Sequence, residues 1–259
     1  MADRDVDVLI VGAGAAGSAC AEALVRDRSF SGSVLLVGRE QDPPYERPPA
    51  SKDYLAGTED RDACLFHDEA WYSSSSIRLA PRTSVMRLDT DARTATLSTK
   101  EVVEFGVALI ATGANVRRLR VDGAQLEGIH YLRALGNADA IRADAADASR
   151  VVLVGGSYIA CEVAASLTAA GKSCTLVMQE ELPLSLGFGR TAGEFFAGVL
   201  GSHGVEWVGG DGLGRFEGDG RVQRVVTESG RVLEADMVVM GTGAVPDVML
   251  ARSAGLELG

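Results

Sequence analysis

The chain is predicted to fold as an α/β protein of two Rossmann-like, three-layer units with antiparallel β insertions. Three observations predict it. The apolar run Val8-Leu-Ile-Val11 leads into Gly12-x-Gly14-x-x-Gly17 and an alanine-rich stretch. A second apolar run, Val151-Val-Leu-Val154, opens into Gly155-x-Ser157-x-x-Ala160. After each turn the same order recurs, from a second apolar run through alternating stretches to a closing run that ends in Thr-Gly, at Thr112-Gly113 and at Thr242-Gly243.

Element by element, residues 6–11 read as a buried parallel strand, 14–28 as a helix and 34–37 as the next strand, which completes one strand-helix-strand crossover. Residues 42–51 then hold four of the seven prolines, so this stretch is expected as a loop rather than a regular element. Alternating stretches at 77–80, 83–89 and 94–98 predict a small antiparallel insertion, and a buried strand over 107–113 closes the segment. Residues 114–150 read as a connector with a helix at 135–146. The second unit follows, with strand 151–154, helix 158–171, strand 173–178, helix 190–203 and strand 205–208. Stretches at 213–218, 221–227 and 232–235 predict another antiparallel flap before the closing strand 237–240. The boundaries drawn from this pattern are 1–113 for a first unit, 114–240 for a unit inserted into it, and 241–259 for the start of a return.

With 46% hydrophobic residues over 259 positions the chain can bury a full core. The net charge of −11 argues against nucleic acid and anionic membrane as partners, which both require a basic footprint. No apolar run approaches the roughly 20 residues that span a bilayer, and the N-terminus is acidic rather than a basic leader, so a cytoplasmic protein is expected. Cys20, Cys64, Cys161 and Cys174 show no C-x-x-C or C-x4-C spacing and the chain has three histidines, so neither a zinc cage nor a secreted disulfide framework is suggested. Cys20 and Cys161 read as small buried residues on the helices that follow the turns.

The two turns carry the chemistry. Gly12 permits the tight bend, Gly14 lets backbone approach a pyrophosphate, and Gly17 allows close packing of helix on strand, while helix-terminal N–H groups meet the phosphate charge. At the end of the second strand Glu40 is the candidate for the ribose hydroxyls; Arg39, nearer the strand, is the alternative and would face a phosphate. At the second turn Gly155, Gly156 and Ser157 are the candidate phosphate contacts, with Tyr158 and Ile159 opening the helix. Serine in the middle position adds a side chain that can donate a hydrogen bond. Beyond the following strand, Met178 stands where a nicotinamide-dinucleotide site usually has its carboxylate. Glu180 follows two residues later, and no arginine is placed for a 2′-phosphate, so NADH is mildly favoured over NADPH. Gly243 of the second Thr-Gly completes this set.

Beyond the turns, Pro44-Tyr45-Glu46-Arg47-Pro48-Pro49-Ala50-Ser51-Lys52-Asp53-Tyr54-Leu55, Ala111-Thr-Gly-Ala-Asn115, His130-Tyr-Leu-Arg133 and Gly155-Gly-Ser-Tyr-Ile-Ala-Cys-Glu162 resemble the FAD-dependent NAD(P)H:ferredoxin reductases of oxygenase systems, within the pyridine nucleotide-disulfide oxidoreductase superfamily. The resemblance implies that Gly12, Gly14, Ala16 and Gly17 hold the FAD pyrophosphate and that Arg47 and Lys52 lie at the flavin. Val85 would touch the adenine through its backbone, Ala111 and Thr112 would line the cofactor path, and Arg133 would approach the flavin from the connector. Lys52 and Glu162 are the candidate catalytic residues, the first because an ammonium stabilises negative charge on a reduced flavin, the second near the nicotinamide. The implied reaction takes hydride from NAD(P)H onto FAD and passes single electrons to a small [2Fe-2S] ferredoxin or a rubredoxin, for which Arg117, Arg118 and Arg120 are a candidate docking cluster. An oxidase or quinone reductase with a small-molecule acceptor and a nucleotide-binding module without turnover are the alternatives. Relative to that family a C-terminal return segment and a further domain are expected to be missing.

Overall fold

A computed structural model describes residues 5–258; the outermost ends of the first and last predicted segments, 1–4 and 259, lie outside the described residues. Two compact units emerge. Unit 1 comprises residues up to Glu46, Asp62–Asn115 and residues from Val245; unit 2 comprises Arg47–Arg61 and Val116–Ala244.

In unit 1 the apolar run forms β1 (Val6–Val11), followed by α1 (Ala15–Arg26) and β2 (Val34–Val37). The sheet order is β3-β2-β1-β6-β5-β4, with β3 at Ile77–Ala80, β4 at Val85–Asp89, β5 at Thr94–Leu97 and β6 at Val102–Ile110. β1 pairs in parallel with β2 and with β6, placing Leu9 and Ile10 at the fully buried centre. One apolar layer combines Leu35, Leu88, Leu97 and Phe105, and the other combines Ile10, Leu36, Tyr72 and Ile77.

Two expectations are corrected here. Residues 77–80 are not part of the antiparallel insertion: β3 pairs in parallel with β2, from Val34 opposite Ile77 to Val37 opposite Ala80. Helix α3 (Glu69–Ser74), whose N-terminus is capped by the Asp68 carboxylate accepting from Trp71 N at 2.8 Å, supplies the crossover that a parallel pair requires. The closing strand is also longer and less buried than expected. It begins at Val102, Val107 is 65% exposed and Ala108–Ile110 are half-buried. Its first part pairs with β5, whereas over 107–110 it pairs with β1 alone among the described residues.

The proline-rich loop is not wholly irregular. Pro48–Ser51 makes one 3-10 turn, with proline in its first positions where a backbone donor is not needed, and α2 (Asp53–Ala56) follows. The sequence boundaries placed Arg47–Arg61 with the first unit, but these residues pack within unit 2. The reason is polar as well as apolar. Tyr54, 4% exposed, donates its hydroxyl hydrogen bond to Asp139, Arg61 Nη1 lies 2.6 Å from the same carboxylate, and the Arg142 guanidinium stacks 5.0 Å from the Tyr54 ring centre. Burial raises the Asp139 carboxyl, yet the hydrogen bonds from Tyr54 and Arg61 outweigh it and hold the group below its ordinary value.

The short strand β7 (Ala114–Val116) carries the chain out of unit 1. Unit 2 has an all-parallel sheet of order β11-β10-β9-β15-β8. Its strands are β8 (Ile129–Tyr131), β9 (Arg150–Val154), β10 (Ser173–Val177), β11 (Glu206–Val208) and β15 (Met237–Met240). Helices α4 (Leu135–Ala145), α5 (Tyr158–Ala169), α6 (Ser185–Phe188) and α7 (Arg190–Ser202) lie between them in sequence. A separate antiparallel sheet joins β12 (Leu213–Asp219), β13 (Arg221–Thr227) and β14 (Val232–Glu234) as expected. Val152, Val177, Phe216, Val225, Val238 and Met240 form the core that holds this flap against the parallel sheet. β16 (Ala244–Pro246) and α8 (Met249–Ser253) close the described chain, and Leu250 and Ala254 join the core of unit 1.

Candidate functional site

Each glycine turn begins where a central strand ends, and the two are bonded alike. Gly12 N donates to Val37 O at 2.8 Å, and Gly155 N donates to Val177 O at 2.7 Å. Ala111 N donates to Val11 O, and Gly241 N donates to Val154 O, both at 2.8 Å. Gly12 and Gly155 both adopt φ +115°, where a side chain is strained, and a Cβ there would stand 2.1 Å from the Ala111 oxygen and 2.4 Å from the Gly241 oxygen respectively.

Helices α1 and α5 then start from Gly14 and Ser157, and neither receives a side-chain cap. Their first N–H groups therefore remain for a phosphate. Above Gly14 no heavy atom lies within 4 Å of where a Cβ would be, which is the open approach a pyrophosphate needs. At the second turn Ser157 does not cap its helix, because its hydroxyl donates to Gly241 O at 2.8 Å. The side chain thus points back to the strand end. Ala16 is exposed on the first turn of α1, and Tyr158 is exposed at the start of α5, with Ile159 half-buried behind it.

The carboxylates after the second strands correspond as well. Glu40 follows Val37 by three residues and Glu180 follows Val177 by three, with the same burial sequence over the intervening positions. Met178 therefore corresponds in position to Gly38. It is buried at 2% exposure against Gly156. Glu180 is half-buried, its Oε2 3.4 Å from where a Gly156 Cβ would be.

Glu40 accepts a 2.5 Å hydrogen bond from the buried Tyr45 hydroxyl, a partner that sequence reasoning missed. Arg39 reaches Asn115 Oδ1 at 2.7 Å and Asp247 Oδ2 at 3.3 Å. Asp247 also organises the first Thr-Gly. Thr112 Oγ1 donates to its carbonyl at 2.6 Å, and its own N–H donates to Gly113 O at 2.9 Å. Val85 begins β4, half-buried beside the unit 1 core. Gly243, at φ +90°, accepts from Arg117 N at 2.9 Å. Arg117, Arg118 and Arg120 are exposed, and the Arg118 guanidinium lies 4.7 Å from the Tyr131 ring centre.

Within unit 2 the two candidate catalytic residues meet. Lys52 Nζ is 3.0 Å from Glu162 Oε1, and Ser51 Oγ donates to Glu162 Oε2 at 2.6 Å. Arg47 Nη1 donates to Arg133 O at 2.5 Å, which joins two more of the predicted residues. The neighbouring thiol of Cys161 is pushed up to about 11 by burial and by the charges of Glu162 and Glu180, so it stays protonated and inert near neutral pH. All four cysteines are free thiols.

The sequence profile of the pyridine nucleotide-disulphide oxidoreductases matches residues 6–259. The chain belongs to this family. Rhodocoxin reductase of Rhodococcus erythropolis is 36% identical over 254 residues, covering 98% of this chain and 59% of the relative. Rubredoxin-NAD(+) reductase of Pseudomonas putida is 31% identical over 252 residues, covering 97% and 65%. Among solved structures, the ferredoxin reductase for the CYP199A2 system of Rhodopseudomonas palustris superposes with a TM-score of 0.93 at 31% identity, covering 98% of this chain and 62% of that one. Putidaredoxin reductase in its covalent complex with putidaredoxin gives 0.92 at 30% identity, covering 99% and 63%. The chain thus spans about three fifths of the length of these family members.

Proposed function

We propose that the chain provides the two dinucleotide cradles of a flavoprotein reductase, with FAD at the Gly12 turn and NADH at the Gly155 turn. Electrons would leave singly to a small ferredoxin- or rubredoxin-type iron–sulfur protein. The observation that carries this reading is the pair of uncapped helix starts, each followed by a second strand with a carboxylate three residues beyond its end. When bound, a flavin supplies the conversion of a two-electron donor into one-electron steps.

The chain's own groups account for holding and tuning. N–H groups at the starts of α1 and α5 hold the two pyrophosphates. Glu40, oriented by Tyr45, takes the ribose hydroxyls of FAD, and Glu180 takes those of NADH while repelling the 2′-phosphate of NADPH. The Lys52 ammonium would stabilise negative charge on a reduced flavin, and within unit 2 Glu162 holds that ammonium in place. With no disulfide in the chain, electrons pass from the cofactor directly to the outside acceptor. The names of the relatives support an iron–sulfur acceptor over a small molecule.

The test is purification followed by titration. The expected protein is yellow, is bleached by NADH, and is reoxidised faster by added putidaredoxin or rubredoxin than by quinone or oxygen. A protein that binds no FAD from solution, or one that quinone reoxidises faster, overturns this reading.

A further inference from the structure

We infer that Ser51 and Ser166 are positioning residues that fix the Glu162 carboxylate, and through it the Lys52 ammonium, in a single arrangement. The inference rests on the placement of Lys52 at the flavin proposed above, but its geometry stands within unit 2 alone. Two consecutive residues, Ser51 and Lys52, engage the two oxygens of one carboxylate, Oε2 at 2.6 Å and Oε1 at 3.0 Å. The Ser51 hydroxyl has a second acceptor at hand, Pro48 O at 3.2 Å, and the shorter contact to a charged oxygen is the stronger one. Ser166 lies one helical turn after Glu162, so both project from the same face of α5. Its hydroxyl donates at 2.8 Å to the Ser51 carbonyl, which belongs to the peptide joining Ser51 to Lys52. The helix therefore grips both the side chain and the backbone of the same step.

This arrangement has a physical purpose. The Lys52 side chain is 46% exposed and that of Glu162 27%, and an ion pair so open to water contributes little and samples many geometries. A long lysine side chain also resists ordering. Pinning one carboxylate oxygen with a buried serine, itself 3% exposed, fixes the plane of the carboxylate and leaves its other oxygen facing one direction. The ammonium then has one place to sit. Neither serine touches the proposed reacting atoms; both act through Glu162.

The chain has three lysines, which makes the test direct. Reductive methylation with formaldehyde modifies Lys52, Lys100 and Lys172, and the rate at Lys52 relative to exposed Lys100 is read by mass spectrometry of the peptides, with no flavin required. Glu162→Gln is expected to raise this ratio about fivefold, and Ser51→Ala about threefold, from loss of a charge-assisted hydrogen bond. Ser51→Thr, which keeps the hydroxyl, restores the original ratio. Because serine acts through the carboxylate, Ser51→Ala adds nothing once Glu162 is Gln. A Ser51→Ala ratio equal to that of the unaltered chain overturns the proposal, as does a double variant whose ratio is the product of the two single effects. Should Ser51→Ala not fold, Ser166→Ala carries the same test, with a rise of about twofold expected and no rise overturning it. Failure of the flavoprotein reading is distinguishable, since it shows as a colourless protein whatever the labelling ratio.

Discussion

At the first turn Gly17 lies against the Gly12 carbonyl, where a Cβ would come within 1.9 Å, and Ala111 stands on the opposing strand end. At the second turn alanine occupies the corresponding helix position, Ala160, and the opposing strand end carries Gly241, where a Cβ would meet the Ala160 Cβ at 2.7 Å. The neighbouring contact shows an exchange of partners between the units. A Cβ on Gly38 would stand 2.7 Å from that of Ala13, while in unit 2 the turn residue is Gly156 and the strand-end residue is Met178, whose sulfur would be 2.6 Å away. This second contact has room for one side chain, and the two units assign it to opposite partners, whereas at Gly17 the obstacle is the Gly12 carbonyl. A fingerprint written as three glycines therefore describes only one solution. The Gly155-x-Ser157-x-x-Ala160 turn carries alanine at its third position beside Gly241, and its backbone bonds match those of the first turn within 0.1 Å.

The largest effect expected from this comparison is at Gly17. Gly17→Ala drives a methyl group into backbone that cannot yield and should cost about 3 kcal/mol or more, measured by urea unfolding; a loss under about 0.5 kcal/mol would show that the first turn can adopt the second's solution. Next is Gly241→Ala, expected to cost about 2 kcal/mol. Adding Ala160→Gly should recover part of that loss through a coupling of about 1 kcal/mol, and strictly additive costs would break the correspondence between Gly17 and Ala160. The carboxylates come third. Glu180→Ala should cut the preference for NADH over NADPH about tenfold, near 1.4 kcal/mol, in coenzyme binding titrations. An unchanged preference would return the ribose role to another residue.

The smallest effect separates the units by acid. Asp236 is held at about 2 chiefly by its hydrogen bond from Arg150, with Arg150 N and Ser149 N adding to it against the cost of burial. A carboxyl lowered on folding stabilises the native state fully above its ordinary value near 3.8, and that stabilisation is lost as pH falls toward about 2. Asp144, lowered despite burial by His130 and Arg221, adds to the same unit and the same direction. Asp236→Asn should flatten the fall in thermal stability of the chain between those pH values, and an undiminished slope would assign the acid sensitivity elsewhere.

Much of this was legible in the chain because the parallel strands are continuous apolar runs bounded by glycine, a pattern that locates β1, β9, β10 and β15 and the helices between them. What escaped was short or distant. β8 has three residues, Ile129–Tyr131, and no alternation to mark it, so only its pairing with β15 reveals it. β3 has four, too few to show which partner it would take. Glu180 was present among the candidate residues, but its correspondence to Glu40, each three residues beyond a strand, shows only once both strand ends are fixed. Tyr45 on Glu40, Asp247 on Arg39 and Thr112, and the two serines around Glu162 come together only by folding, the Arg39–Asp247 pair across 208 residues of sequence.

The excursion of Arg47–Arg61 sets a limit on how this architecture can be rearranged. The chain passes from one unit to the other four times, after Glu46, Arg61, Asn115 and Ala244, so neither unit is one uninterrupted stretch of gene. Cutting out Val116–Ala244 as a cassette would leave Asp139 without Tyr54 and Arg61, and Glu162 and Ser166 without Ser51 and Lys52. Exchange of coenzyme-binding halves between such chains, by recombination or by design, can succeed only as a two-segment transplant in which the proline turn travels with the helices it grips.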